Sequence, residues 1–375
     1  MSEIVFLFRL AGKKIKKEKM KQLHIFVIHD GIENSVFPGQ VLQPLRNKLS
    51  RNPELKIILI SFESTQTPLE NLNLPDRLRL IILKKNIFLG RLSLYPAIWQ
   101  LKKVFQKHRN FTVTARGPIA GYVCLKALKP CPARSLMVQA RGLLEQEYAF
   151  AHPKTKNILK NLAHALRTLQ YKNVEKKVYG KKNIQIEAVS PALSTFLQNE
   201  FGAKSQQITI AQKDIPKKIQ PAQIALWKKE IRKKLNIPTH SCTYCFNGSV
   251  KPWQCPQKVI SFFKQKLAEK PNVFLLVLTQ QKKEFEQLLN KNNISEKNYV
   301  VLTVTHKEIY KYLAACDIGL IFREPHVVNW VSRPTKILEY QAVGLEVIHN
   351  GTVQWITDTP LKSHKTTEKD FLNDF

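Results

Sequence analysis

Ser332-Arg333-Pro334-Thr335-Lys336-Ile337-Leu338-Glu339-Tyr340-Gln341-Ala342-Val343-Gly344 decides how the rest of this 375-residue chain is read. Pro334 suits the first turn of a helix, where its missing N–H costs nothing, and the helix is expected over Pro334 to Val343. Gly344 suits the left-handed residue that ends one. A strand, Leu345 to His349, follows. A helix N-terminus reached from a loop offers unpaired backbone N–H groups and the positive end of the helix dipole, which together attract anions. Lys336 and the Ser332 and Thr335 hydroxyls add donors for phosphate oxygens. Glu339, one turn further in, is placed to accept from ribose hydroxyls. The same residues also describe a capped surface helix with a solvated glutamate.

Working outward, short β-branched runs alternate with longer helical ones, the pattern of parallel α/β layers. In the second half, strands are predicted over 243–247, 273–278, 299–303 and 318–322, with helices over 252–268, 282–290 and 307–314. In the first half, strands are predicted over 23–29, 56–62, 78–83, 111–115, 135–139, 184–189 and 208–211. Helices there cover 40–49, 92–107, a segment between the fourth and fifth strands, about 154–178, and a run opened by the cap Ser190-Pro191. The polar stretch 213–221 reads as a linker. The expected architecture is α/β, with a basic N-terminal tail (1–22) and two doubly wound domains, 23–215 and 216–375. Ligands bind such sheets beyond the carboxyl ends of their strands. Asn247-Gly248-Ser249-Val250-Lys251 stands at such an end, where Gly248 permits close backbone approach, Ser249 adds a hydroxyl and Lys251 offers a point charge to a diphosphate. It also reads as an ordinary turn with an exposed lysine.

Composition sets the surroundings. The net charge is +32, which favours polyanionic partners such as phospholipid headgroups, nucleic acid or phosphorylated substrates. Between Arg77 and Leu144 there are fourteen Lys and Arg and no Asp or Glu, interleaved with Phe88, Tyr95, Trp99, Phe105 and Phe111. That mixture suits an anionic membrane surface, or simply a solvated basic face in a lysine-rich chain. No run approaches the roughly 20 apolar residues that span a bilayer. The apolar run Ile4 to Leu10 precedes a lysine cluster, the reverse of a signal peptide, so a cytoplasmic protein with a basic tail is expected. Six cysteines make no disulfide framework. Cys242 and Cys245 sit three apart on a predicted strand, facing opposite ways, so reduced buried cysteines are expected and no metal site.

Ala315-Cys316-Asp317-Ile318-Gly319-Leu320-Ile321-Phe322, the Pro334 to Tyr340 run and Gly344 resemble the C-terminal half of family 4 glycosyltransferases. The resemblance implies the GT-B architecture, two Rossmann-like domains facing each other across a cleft. It implies that the Pro334 helix binds the donor's diphosphate through Ser332, Pro334, Thr335 and Lys336, with Gly248, Ser249 and Lys251 opposite, and that Glu339 holds the ribose. Thr114-Ala115-Arg116-Gly117 and Ala140-Arg141-Gly142-Leu143-Leu144-Glu145 are similar to the two loops facing sugar and acceptor, and Gly142 and Glu145, with Gly31 in the turn after the first strand, are expected on the acceptor side. Glu187-Ala188-Val189-Ser190 resembles the step closing the first domain. There are departures. Val331 stands where many members carry a first glutamate, leaving Asn329 or backbone to meet the sugar. Gln139-Ala140 precede Arg141 where an Asp is usual. The sequence also ends soon after Trp355, where members usually continue in a helix returning to the first domain.

The reaction so implied is retaining transfer from a UDP- or GDP-sugar to a glycan or lipid-linked acceptor, at the inner face of the cytoplasmic membrane. It needs no cofactor and no metal held by an Asp-x-Asp pair. Lys251, Lys336 and the helix N-terminus would stabilise the leaving diphosphate, and Arg116 and Arg141 an acceptor phosphate or the leaving group. Three other readings are weighed. A sugar-nucleotide epimerase would need carboxylates converging on the sugar, against the acid-free block. A nucleic-acid-binding protein would need a reading helix, an RNA-binding sheet signature or a zinc module. A degenerate transferase serving as a binding or scaffold subunit fits Val331.

Overall fold

The computed structural model describes residues 22–34, 37–64, 72–85, 94–129, 135–211, 219–305, 308–359 and 362–366. The expected tail, Phe88 and most of the linker lie outside them. In chain order the elements are β1 Gln22–Ile28, α1 Gln43–Arg51 (entered through a π-helical turn, Pro38–Leu42), β2 Leu55–Glu63, β3 Leu78–Lys84, α2 Leu94–Phe105, β4 Phe111–Arg116, α3 Gly117–Ala127 and β5 Ser135–Ala140. Then come α4 Leu144–Ala151, α5 Ile158–Tyr179, β6 Gln185–Ala188, α6 Pro191–Phe201, β7 Ile208–Ile210, α7 Pro221–Lys234, β8 Cys242–Asn247, α8 Pro256–Glu269 and β9 Val273–Leu278. The chain continues through α9 Lys282–Lys291, β10 Tyr299–Leu302, α10 Ile309–Ala314, β11 Ile318–Ile321, α11 Val327–Trp330, α12 Thr335–Ala342, β12 Glu346–His349, α13 Gln354–Thr357 and β13 Ser363–Lys365.

The strands form two sheets, ordered β3-β2-β1-β4-β5-β6-β7 and β10-β9-β8-β11-β12-β13. Pairing is parallel in both. Relabelled from its own first strand, the second sheet runs 3-2-1-4-5-6, the doubly wound order, and the first sheet adds one strand to it. The chain divides into two compact units, one taking Val123–Leu136 together with everything up to Ala115, the other Arg116–Tyr122 and everything from Met137.

In the first unit, β1 and β2 turn Phe26, Ile28, Ile57 and Leu59 onto Val41, Leu45 and Leu49 of the π-helical turn and α1. Arg77 ties that layer together: its Nη1 donates to the Asn52 and Pro53 carbonyls at 2.8 Å, and its Nη2 to Leu49 O at 2.8 Å. One cation of the acid-free block is therefore structural. In the second unit the β8–β13 sheet is buried on both faces, as parallel sheets between helices are. Along β8, Cys245 packs with Leu276, Leu278, Ile337 and Tyr340, while Tyr244 and Phe246 pack with Val259, Phe262 and Phe263 on the other side. Cys242 joins that other side, so the two cysteines do face opposite ways. The described cysteines are free thiols.

Several elements depart from expectation. Leu144–Ala151, for which the sequence pattern predicts no element, is a helix that begins inside the stretch likened to a loop. Leu143 is extended before it and no side chain caps α4 in sequence; the cap comes from afar, as Leu144 N and Glu145 N donate to the Glu175 carboxylate at 2.7 and 3.2 Å. Helix α7 was unread because it buries only Ile231 and carries little amphipathic pattern. Pro334 is the extended residue before α12 rather than its first helical one. Gly344 takes φ +75°, and Leu345 N closes on Tyr340 O at 3.0 Å, ending α12 as Gly344 predicted.

Asp317, between α10 and β11, holds α7 to the sheet. Its carboxylate accepts from Lys228 Nζ at 2.5 Å, Arg232 Nη2 at 2.7 Å and Thr243 N at 2.8 Å. Partial burial alone would raise its pKa, but these donors and charges hold it below the usual value. The stabilisation is therefore present above the unfolded-state pKa of about 3.9 and is lost as pH falls through the lower folded-state value. Asp317→Asn is expected to cost about 2–3 kcal/mol at pH 7, between surface and buried ion-pair values. In melts from pH 7 to 3 the difference from wild type should shrink toward the acid end.

Candidate functional site

Strand order in the second sheet reverses between β8 and β11, so the loops after them open a crevice at their carboxyl ends. Asn247 ends β8, and Phe322-Arg323 follow β11. Helix α12 starts from the loop between α11 and itself, and its Tyr340 reaches back to the same place. The Asn247 backbone N–H donates to Tyr340 Oη at 3.1 Å, and Asn247 Nδ2 donates to Glu339 Oε2 at 2.9 Å. Tyr340 is fully buried and lies against Gly319 of β11, where a Cβ would come within 2.5 Å of the ring. A glycine in a central strand is explained by this close approach.

Gly248 is needed for a similar reason: a Cβ there would collide with the Phe246 ring and stand 2.6 Å from Gln254 Oε1. The loop then bends back through a 3-10 turn, Pro252–Gln254, to bring the Gln254 carboxamide inward. Its Oε1 accepts from both Ser249 N at 3.0 Å and Lys336 Nζ at 2.8 Å. Ser249 Oγ is buried with no hydrogen-bond partner among the described residues. Arg323 is buried on the other side; its N–H donates to Asn350 Oδ1 and its Nη1 to Phe322 O.

These neighbours set the charge state. Lys336 is lowered to about 7, first by removal from water and then by repulsion from Arg323, with Glu339 opposing. Burial also lowers Arg323. Two crowded cations against one carboxylate form a preorganised pocket for a polyanion. Of the residues singled out in sequence, Gly248, Ser249, Lys336 and Glu339 are brought together here through Gln254 and Asn247.

The others are placed differently. Thr335 opens α12, half-buried. The Ser332 hydroxyl donates to Asn329 O at 2.7 Å, and Asn329 Nδ2 donates to Glu324 O at 2.8 Å, so both side chains hold the loop. Val331 is fully buried and its carbonyl accepts from Ser190 Oγ at 2.6 Å. Lys251 is exposed with Nζ 5.0 Å from the Trp253 ring centre. Arg116 is buried at the end of β4. Arg141 pairs with Glu187 at 3.4 Å, and Gly142 leaves room for Glu147, whose Oε1 occupies the place a Cβ would take. The Glu145 carboxylate accepts from Gln146 Nε2 at 2.6 Å in the first turn of α4. Gly31 takes φ +82°, beside Glu63, which accepts from Ile32 N at 2.9 Å. Sequence reasoning missed Arg323, gave Asn247 no role of its own within the Asn247–Lys251 stretch, and missed Gln254. Position alone could have found the first two, since each stands at or just past the carboxyl end of a switch-point strand; nothing marked Gln254.

Next to the site, Pro325, His326, Val327, Trp330, Gly351 and Thr352 line an open pocket of about 450 Å³. Among the described residues no group of three His, Cys, Asp or Glu could hold a metal ion.

No protein-family profile matches the sequence, and no curated protein matches it significantly. Solved structures do. Sucrose-phosphate synthase (tll1590) from Thermosynechococcus elongatus is similar at 14% identity and a TM-score of 0.65, covering 90% of this chain and 84% of that one. Anabaena Alr3699/HepE in complex with UDP is similar at 15% identity and 0.64, covering 92% and 86%. WaaG, a glycosyltransferase involved in lipopolysaccharide biosynthesis, is similar at 15% and 0.60, covering 93% and 88%. At such identities the likeness concerns the fold, and it agrees with the two parallel sheets flanked by helices: the architecture is GT-B.

Proposed function

We propose that the chain is a nucleotide-sugar-dependent glycosyltransferase that moves a sugar from a UDP- or GDP-linked donor to a glycan or lipid-linked acceptor, at the inner face of the cytoplasmic membrane. The observation that carries this reading is the convergence of Arg323, Lys336 and the orphan Ser249 hydroxyl at the switch point, with Glu339 one turn along. It is the arrangement that a nucleoside diphosphate needs: cations and donors for phosphate, a carboxylate for ribose. The similarity in fold to HepE, solved with UDP, and to WaaG supports it. The domains are proposed as 23–215, for the acceptor, and 216–375, for the donor.

Transfer is proposed to be retaining and independent of metal. Lys336, Arg323 and the start of α12 stabilise charge on the departing diphosphate, and its released oxygen can take the acceptor proton. Lys251, exposed beside Trp253, is assigned to the outer phosphate, and Arg116 and Arg141 to the acceptor side with Gly31, Gly142 and Glu145. Asn329, or backbone of its loop, is assigned to the sugar. One observation favours a second reading. Val331 commits the position of the family's first glutamate to packing, which suits a subunit that binds nucleotide without transferring sugar.

The test is calorimetric binding of UDP, GDP and inorganic pyrophosphate, followed by a turnover assay with their sugars. Glu339→Ala should weaken UDP about 10- to 100-fold, one charge-assisted hydrogen bond, and leave pyrophosphate nearly unchanged. Wild type that binds neither nucleotide would end the proposal. Tight binding with no turnover across the donor panel would favour the second reading.

A further inference from the structure

Helix α5 carries an exposed apolar stripe that nothing in the nucleotide site uses. Ile158, Leu159, Leu162, Leu166 and Leu169 are between 54% and 79% exposed. Ile158, Leu162, Leu166 and Leu169 recur at helical spacing, on one face about 16 Å long. The opposite face is committed: Val174, Glu175, Val178 and Tyr179 are buried, and Tyr148 of α4 holds His164 Nδ1 at 2.7 Å. On the stripe's own face the next turns bring Lys172, Lys176 and Lys177, all exposed, and Lys154 and Lys156 precede the helix. From Tyr148 to Val174 there is no Asp or Glu. The helix has its own cap, Asn157 Oδ1 accepting from Lys160 N at 2.9 Å, so its exposed end is closed from within the chain.

We infer that this stripe is the element by which the chain inserts into an anionic bilayer surface. Aliphatic side chains aligned along an exposed helix, ringed by lysines and free of carboxylates, match acyl chains below and phosphate headgroups above. A second copy of this chain fits poorly, because it would bring another +32 of like charge to the same surface. Nucleic acid offers phosphates but nothing to cover five aliphatic side chains. The inference shares with the proposed function only the premise of an anionic bilayer. It assigns contact to α5, with its five exposed aliphatic side chains, rather than to the acid-free block, where Tyr95 and Trp99 are exposed and Lys103 Nζ stands 3.3 Å from the Trp99 ring centre.

The experiment is co-sedimentation of the full chain with vesicles of phosphatidylcholine, with and without about 30% phosphatidylglycerol, with UDP affinity measured in parallel. Leu162→Ser/Leu166→Ser/Leu169→Ser should lower partitioning into the anionic vesicles about 10-fold or more and leave UDP affinity unchanged. Leu166→Trp, folded as judged by unchanged UDP affinity, should be quenched by brominated acyl chains beyond the quenching of the five native tryptophans. Undiminished binding of the triple variant, with loss in Trp99→Ser/Lys102→Gln/Lys103→Gln, would overturn the stripe and keep the membrane location. A wild-type dimer that the triple variant turns into a monomer would overturn it in favour of self-association. No vesicle binding by wild type would end both, while UDP binding would still stand on its own result.

Discussion

Lys336→Met is expected to lower UDP affinity by about 100-fold or more, since removal of one partner from a desolvated charge pair typically costs about 2–5 kcal/mol. The same change should stabilise the ligand-free protein by about 1–3 kcal/mol, because an ammonium held at a pKa near 7 is one whose burial is unfavourable. The lost hydrogen bond orphans nothing: Gln254 Oε1 still accepts from Ser249 N. Activity and stability thus move in opposite directions, which a merely structural lysine would not do. Here folding depresses the lysine from about 10.4 in the unfolded chain. Between pH 7 and that value the unfolded state binds more protons, so stability rises with pH across the window and is flat below it. Binding a diphosphate draws the pKa back up, so at pH 8 binding takes up a proton and affinity falls as pH rises. Calorimetry in buffers of different protonation enthalpy measures the uptake. A variant that binds UDP normally, or melts several degrees lower, would contradict the assignment.

Gly319→Val should destabilise the second sheet by about 3 kcal/mol or more and remove nucleotide binding with it. The added atoms would meet the Tyr340 ring at 2.5 Å, well inside any tolerated contact, within a central strand whose neighbours cannot spread. Tyr340 has nowhere to go without surrendering Asn247 N, and with it the end of β8. Denaturant titration with UDP present and absent measures both effects. Pairing Gly319→Ala with Tyr340→Leu should recover part of the loss, since the two changes share one volume. Strict additivity of the two would show that the ring is not the obstacle.

How far the sequence foretold this differs from residue to residue. Strands such as Val273–Leu278 were legible because a parallel sheet buried on both faces demands an unbroken apolar run. The start and end of α12 were legible because proline and glycine restrict backbone geometry locally. Helix α4 was not, because its cap is the carboxylate of Glu175, about thirty residues away in the chain. The site was half legible. Lys336 and Glu339 lie on one helix, at a spacing that puts them near each other. Their partners Gln254 and Asn247 come from loops that only the fold brings near, and no spacing rule links position 254 with 336. Val331 illustrates the same limit. As a departure from a pattern it signalled loss, yet its side chain fills the core and its carbonyl anchors Ser190.

The carboxamide of Gln254 has one further consequence. Its single oxygen is a placeholder, occupying at once the Lys336 ammonium and the Ser249 amide. An anion that draws the ammonium toward itself loosens its hold on that oxygen, and release of the oxygen bares a second donor on the Gly-Ser turn. The first contact thereby recruits the next. A nucleotide meeting this site would be taken up stepwise, one arriving phosphate oxygen unlatching the loop that receives its neighbour. Gln254→Asn, which shortens the latch by one methylene, would leave the amide and the ammonium already uncovered, with entry faster and the empty site less well held.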